Sequence, residues 1–363
     1  MKLIIHIGVE KTGTTSIQDF LIKNEKVLNN SGFHILRFGL SANNRHMAAA
    51  CMDLTKVDDF IISKSLTKKI VRQQFNKNTL EECRQQIMNL PSSIHTVIIS
   101  SEHFHSRLTK REEVSRLRDA FSDMFEDIKV VMYLRDQGAL IKSLYSTKLR
   151  GGYNKSFSDF LADCRSQDDY FNFHKLFRRW GNVFGESSIV CRIFSRERLV
   201  EGSIIRDFCD VVGIVDDEIS FDAFHANESF SEIGIILCLY LNSFTSRFDG
   251  DRENKHHKRI IKRLSKRYSG SNRLMTQTQY NRVYAQYSKS NSALGEILGV
   301  EPIFPKLSMP PDSSDGKYEY SLAREFVNLS RFKKINPVNE KQSVWRVWLK
   351  SNFSFVKFFK RNS

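Results

Sequence analysis

Lys2-Leu-Ile-Ile-His-Ile-Gly8-Val-Glu-Lys11-Thr-Gly13-Thr-Thr-Ser16-Ile-Gln18 decides the reading of this chain. An apolar, β-branched run is followed by a turn rich in glycine and threonine and then by the first turn of a helix. That layout makes an anion cradle. Backbone N–H groups at a helix N-terminus have no partners inside the helix, and the helix dipole is positive there, so a phosphate set against residues 13 to 16 is bound by geometry already present. Lys11 adds a mobile charge, and Thr12, Thr14, Thr15 and Ser16 add hydroxyls. Gly13 permits a positive φ or a close approach where a side chain would collide.

The string departs from the nucleotide-hydrolase loop GxxxxGK[ST], because its lysine precedes the glycine and no GK[ST] follows. A second segment bears on the same site. Ile128-Lys-Val-Val-Met-Tyr-Leu134 reads as a central parallel strand, with Arg135 and Asp136 at its carboxyl edge. A helix follows with Leu140, Ile141, Leu144 and Tyr145 on one face, and it carries Ser143 eight residues beyond the arginine. Ligands of open α/β sheets bind at such edges.

The first loop resembles the 5′-phosphosulfate loop of sulfotransferases that use 3′-phosphoadenylyl sulfate (PAPS), a strand followed by [KR]-[ST]-G-T-[ST]. Arg135 and Ser143 resemble that family's 3′-phosphate pair in both spacing and context. Weaker likenesses to bacterial members lie in Ala226-Asn-Glu-Ser229, in the SxSN of Tyr287-Ser-Lys-Ser-Asn-Ser-Ala-Leu294, and in Ile303-Phe-Pro305, and they extend the resemblance over about residues 1 to 305. The resemblance implies a P-loop NTPase-like α/β fold, PAPS as co-substrate without a metal, and sulfuryl transfer to an acceptor hydroxyl, on a carbohydrate or a lipid-linked glycan. Two family features are missing. Ser16-Ile17 stands where cytosolic members have a tryptophan near the adenine, and no Arg-Lys-Gly is found near the C-terminus. The adenine platform is left unassigned.

Composition bounds the rest. The 363 residues include 56 Lys plus Arg against 41 Asp plus Glu, a net charge of +15, which calls for an acidic partner without choosing among phosphates, acidic glycans, nucleic acid and anionic lipid. The two motifs favour the nucleotide over nucleic acid. Cys51, Cys83, Cys164, Cys191, Cys209 and Cys238 show no CxxC and no pairing with histidines, so no metal cluster is expected. With Glu10 and Lys11 inside what would be a signal's apolar region, and no apolar run of spanning length, a reducing cytoplasmic setting is expected.

Strands are predicted at Leu3–Gly8, Phe33–Arg37, Thr96–Ser100, Ile128–Leu134 and Ser188–Ile193, alternating with helices: a parallel sheet of about five strands with both faces covered. The mixed segment from Ala42 to Leu90 is expected to cap the sheet's carboxyl edge beside the acceptor. From Ser231 onward only helices are expected, at Ile233–Phe244, Arg252–Tyr268 and Tyr280–Leu298, as a helical C-terminal extension. The domain organisation expected is 1–305 as the transferase domain, 306–342 as a linker and helical extension that includes Pro310–Gly316, and 343–363 as a basic aromatic helix. That last helix mixes Trp345, Trp348, Phe353 and Phe358 with Arg346, Lys350 and Lys357, which suits either packing on the core or peripheral contact with the inner face of a membrane.

For catalysis, Lys11 is expected near the bridging oxygen of the leaving phosphate. The base is sought past the strand that ends Val97-Ile-Ile-Ser-Ser-Glu102-His103-Phe104-His105, where Ser101-Glu102 looks like the Ser-Glu of bacterial relatives. Glu102 leads, with His46 and His103 as alternatives; these histidines also stand as acceptor-binding residues. Arg192, Lys255 and Arg273 are further candidates for anion contact.

Overall fold

Five strands lie in one sheet: β1 (Lys2–His6), β2 (Phe33–Ile35), β3 (Thr96–Ser100), β4 (Asp127–Leu134) and β5 (Ile189–Ile193). Their order is β2-β3-β1-β4-β5, and every neighbouring pair is parallel. The computed structural model describes residues 1–38, 42–166, 168–215, 218–221, 229–249 and 252–309. This is the P-loop-like α/β architecture expected. Leu3, Ile4, Ile5, Ile98, Ile99, Val130 and Val131 are fully buried, as strands covered by helices on both faces must be. The chain leaves β1 two residues earlier than the apolar run suggests because Gly8 turns to φ +48°, outside the extended region.

Helix Thr14–Lys23 packs through Ile17, Phe20 and Leu21 against Ile4 and Tyr133 of the sheet and against Ile205 and Phe208 of helix Ile204–Val212. Burying each large side chain contributes ~1.5–3 kcal/mol, which fixes the helix axis and hence the direction of its N-terminus.

Two compact units emerge from the chain's internal packing: Met1–Leu144 with Ser158–Asn227 and Tyr280–Leu307, and Tyr145–Phe157 with Glu228–Gln279 and Ser308–Ser363. The first holds the whole sheet. The second contains helices Glu232–Phe244 and Lys255–Arg267 and is braced by Asn242, whose amide donates to Leu149 O and Tyr153 O at 2.8 Å each. It corrects the expectation of helix alone beyond Ser231. Phe248–Asp249 and Arg252–Glu253 pair antiparallel, in runs too short for periodicity to mark. The basic helix therefore begins at Lys255, where the Asn254 side chain accepts from the amides of His256 and His257 at 3.1 Å. The Ala226–Ser229 element lies largely, and the Pro310–Gly316 linker and the 343–360 helix wholly, outside the described residues. Among the described residues no helix is long and apolar enough to cross a membrane.

Candidate functional site

β3, β1 and β4 are neighbours, so the segments leaving their carboxyl ends converge on one edge of the sheet. The strand order turns around at β1, the position at which open α/β sheets place ligands. After β1 the backbone is folded tightly. A Cβ on Gly8 would stand 2.8 Å from Thr14 Oγ1 and 3.1 Å from the amide nitrogen of Glu102, so glycine lets this loop lie against the segment leaving β3. Lys11 itself adopts φ +67°, a left-handed conformation that a non-glycine residue takes at a cost of ~1–3 kcal/mol. Thr12 is buried and donates its hydroxyl to Val9 O at 2.6 Å, which closes the turn.

Gly13 occupies the cap position of helix Thr14–Lys23 with φ +85°, and a Cβ there would press on Ile204 at 3.1 Å. Glycine is thus required by φ and by that helix neighbour. No side chain caps the helix and its first turn holds no acidic residue, so the amides of Thr14, Thr15 and Ser16 meet no internal acceptor from a capping group. The Thr14 hydroxyl is buried and has no hydrogen-bond partner among the described residues.

Arg135 comes to this loop from β4. Its Nη1 donates to the backbone carbonyl of Lys11 at 2.8 Å, so the two predicted motifs, 124 residues apart, are joined by a direct bond. The guanidinium also lies 5.5 Å from the centre of the Phe194 ring. Burial pushes its pKa down, opposed by the charge of the neighbouring Asp136, and among the described residues no carboxylate lies within ion-pairing distance of it. The adjacent Asp136 turns away: it accepts from Ala139 N at 2.9 Å and from the Tyr280 hydroxyl at 3.0 Å. A partly buried cation whose neighbouring carboxylate is hydrogen-bonded elsewhere is costly, and an anion bound at the loop would offset that cost. Gln137 is held beside it by a reciprocal amide pair with Asn291, at 2.9 and 3.1 Å, and donates also to Phe171 O at 3.2 Å. The SxSN helix therefore sets the start of helix Gln137–Arg150. Ser143 sits half-buried on that helix.

Glu102 opens helix Glu102–Arg107 directly after β3. It is not spent on capping, since Ser101 supplies the cap by accepting from His103 N at 3.2 Å. Its side chain is 26 % exposed and accepts from Gln18 Nε2 at 3.0 Å; His103 Nε2 lies 3.5 Å from its other oxygen. Burial raises the Glu102 pKa, opposed by hydrogen bonds from backbone and Gln18. His103 is pushed down to about 3, chiefly by burial, so it stands neutral beside the carboxyl. Behind them runs a buried polar chain: Gln18 Nε2 also donates to Ser100 Oγ at 3.4 Å, which lies 2.8 Å from His6 Nδ1. His6 is fully buried and its pKa falls to about 3. His105 is buried as well, 3.1 Å from Tyr170 O, while the Tyr170 hydroxyl donates to Glu10.

His46 lies in helix Arg45–Cys51 among aromatic rings, with centroid distances of 5.0 Å to Phe60, 6.1 Å to Phe75 and 6.5 Å to Phe38. Burial and the nearby Lys64 lower its pKa. The segment before it is tied to the end of β3, because Asn44 Nδ2 donates to Ser100 O at 3.1 Å and the Ser101 hydroxyl donates to Asn43 O. Arg192 is engaged in an ion pair with the fully buried Asp207, which also accepts from the Tyr133 hydroxyl at 2.9 Å, so it serves the core. Gln18, Gln137 and Asp136 are the site residues that motif reading left without a role. Gln18 was open to inference, for it is a polar residue on the face that carries Ile17 and Leu21, and a buried amide must find partners.

No protein-family model matches the chain. A 124-residue stretch, 34 % of this chain and 33 % of the other, is 28 % identical to an uncharacterised protein of Archaeoglobus fulgidus; the chain thus spans about a third of the length of the curated relative it matches. Among solved structures, a sulfotransferase from Alicyclobacillus acidocaldarius superposes with TM-score 0.47 and 13 % identity, over 82 % of this chain and 96 % of that one. Likeness at that level says nothing of chemistry, which is argued from this chain's own residues.

Proposed function

We propose that the protein is a sulfotransferase that moves the sulfuryl group of PAPS to an acceptor hydroxyl on a carbohydrate. The observation that carries this reading is the bond from Arg135 to the Lys11 carbonyl, which puts a cation with no ion-paired carboxylate among the described residues beside a helix N-terminus that lacks a side-chain cap. A nucleotide with phosphates at both its 5′ and 3′ positions suits such a pair. The orphaned Thr14 hydroxyl and the open first-turn amides fit the 5′ end; Arg135 and Ser143 fit the 3′ phosphate.

In this reading Lys11 and the amides of residues 13–16 take up the negative charge that grows on the phosphate oxygen as its bond to sulfur breaks. The acceptor oxygen forms the new bond to sulfur, and its proton passes to Glu102. A carboxylate whose pKa is raised by burial is a stronger base than an exposed one, and the hydrogen bond from Gln18 favours its ionised form and aims it. Neutral His103 and His46 line the acceptor side as hydrogen-bonding or stacking groups. The phosphate is a good leaving group, so residues for strong acid catalysis are not needed.

Thermal-shift titration tests the reading. A ligand at about 100 times its Kd stabilises by ~2.7 kcal/mol. 3′-Phosphoadenosine 5′-phosphate is expected to raise Tm, and ATP with Mg²⁺ to do so weakly or not at all. Equal shifts by both would point to a nucleotide kinase or hydrolase and reject the transferase.

A further inference from the structure

Between Val57 and Phe75 apolar side chains stand in solvent: Val57 is 56 % exposed, Ile62 43 %, Ile70 76 % and Val71 41 %. Surfaces normally scatter such residues singly, whereas Ile70 and Val71 share one surface depression, and exposed apolar side chains gathered in one place mark a binding face. Here it has a concave part. Leu66, Ile70, Val71, Gln74, Phe75 and Asn78 line an open groove of about 520 Å³ whose walls are mostly carbon.

The groove leads toward the candidate site. Phe75 lies 6.1 Å from His46, and His46 follows the Asn43–Asn44 segment bonded to the end of β3, where Glu102 begins its helix. At the junction Lys64 Nζ sits 6.0 Å from the Phe60 ring centre, and Phe60 is edge-on to His46. Lys68 and Lys69 are exposed at the start of the helix that supplies the groove's wall. Contacts thus connect the end of β3, where Glu102 begins its helix, through the Asn43–Asn44 segment and His46 to Phe75 in the groove wall, with Lys64 beside the Phe60–His46 pair. An amphiphile joins groups that suit these parts: hydroxyl-bearing head, acidic linkage, apolar chain. A second copy is a poor occupant, because a two-fold pairing through this face would set Lys64, Lys68 and Lys69 against their own counterparts.

We propose that this groove binds the hydrocarbon chain of an anionic, lipid-linked acceptor, with Lys64 facing its acidic linkage and the hydroxyl-bearing head reaching Glu102. The identity of the head as acceptor rests on the transferase reading above; the groove's preference for a chain does not.

Calorimetric titration of the full chain with inorganic phosphate and with alkyl phosphates from butyl to decyl, kept below their aggregation limits, tests it. Each methylene that enters the groove lowers Kd about fourfold. Ile70→Glu, at an exposed position, is expected to flatten that dependence, and Lys64→Ala to weaken every alkyl phosphate by a similar factor. Both variants should keep the melting temperature and the 3′-phosphoadenosine 5′-phosphate affinity of the parent. Affinity indifferent to chain length overturns the proposal, as does light scattering that shows a dimer split by Ile70→Glu. Chain-length dependence without any nucleotide binding would keep the groove and reject the transferase.

Discussion

Replacing Gln18 by leucine removes the side-chain donor that approaches Glu102 Oε2 at 3.0 Å while filling nearly the same buried volume. A hydrogen bond to a charged acceptor is worth ~1.5–3 kcal/mol in favour of the ionised form, so losing the donor should raise the Glu102 pKa further. The sign is fixed by chemistry, because the amide favours the ionised form. Burial already holds this pKa above the usual glutamate value, and the substitution adds to that effect. Carbon-13 titration of the glutamate carboxyls, with the Glu102 signal assigned by its loss in Glu102→Gln, reads the midpoint directly and needs no acceptor. In the parent protein Glu102 should titrate above ordinary glutamates, and in Gln18→Leu higher still. An unchanged midpoint in the variant would refute the claim that Gln18 controls this carboxyl. There is a companion effect on stability. A carboxyl whose folded pKa is raised costs stability as pH climbs from the unfolded value of about 4.5 through the folded one, so Glu102→Gln should stabilise the protein at neutral pH and lose that advantage in acid.

Acid should also act through His6. With a folded pKa of about 3 against 6.5 unfolded, it binds a proton only on unfolding, so stability falls as pH drops below 6.5, by ~2 kcal/mol between pH 7 and 5; denaturant melts of His6→Asn should show a shallower loss over that interval, and parallel losses would contradict this. Gly13→Ala forces a Cβ into a φ of +85° and onto Ile204, so it should cost at least ~1 kcal/mol in a melt; a neutral result would mean the cap geometry is wrong. Asn291→Leu leaves the Gln137 amide half-satisfied in the core and should cost ~1–3 kcal/mol, most of which Gln137→Leu in the same chain restores; strictly additive losses would argue against a coupled pair.

The sheet was legible because its strands are buried on both faces and read as unbroken apolar runs, Ile128 to Leu134 above all. The loop after β1 and Arg135 after β4 were legible because their chemistry is local: glycine, hydroxyls and a cation at the end of a strand. What motif reading missed depends on distant partners. The bond from Arg135 to the Lys11 carbonyl spans 124 residues, and the Gln137–Asn291 pair spans 154. Neither leaves a periodic trace. The antiparallel pair Phe248–Asp249 and Arg252–Glu253 escaped because two-residue strands carry no pattern. Arg192 shows the converse error, in which a cation near a strand end looked available for anions until Asp207 was found beneath it.

Hydrogen exchange of backbone amides with and without 3′-phosphoadenosine 5′-phosphate tests most directly whether the loop after β1 and the segment after β4 grip one nucleotide. Residues 13–17 and 135–143 should slow together, at the same nucleotide concentration. Protection of only one segment, or of neither at saturating nucleotide, would contradict the shared site.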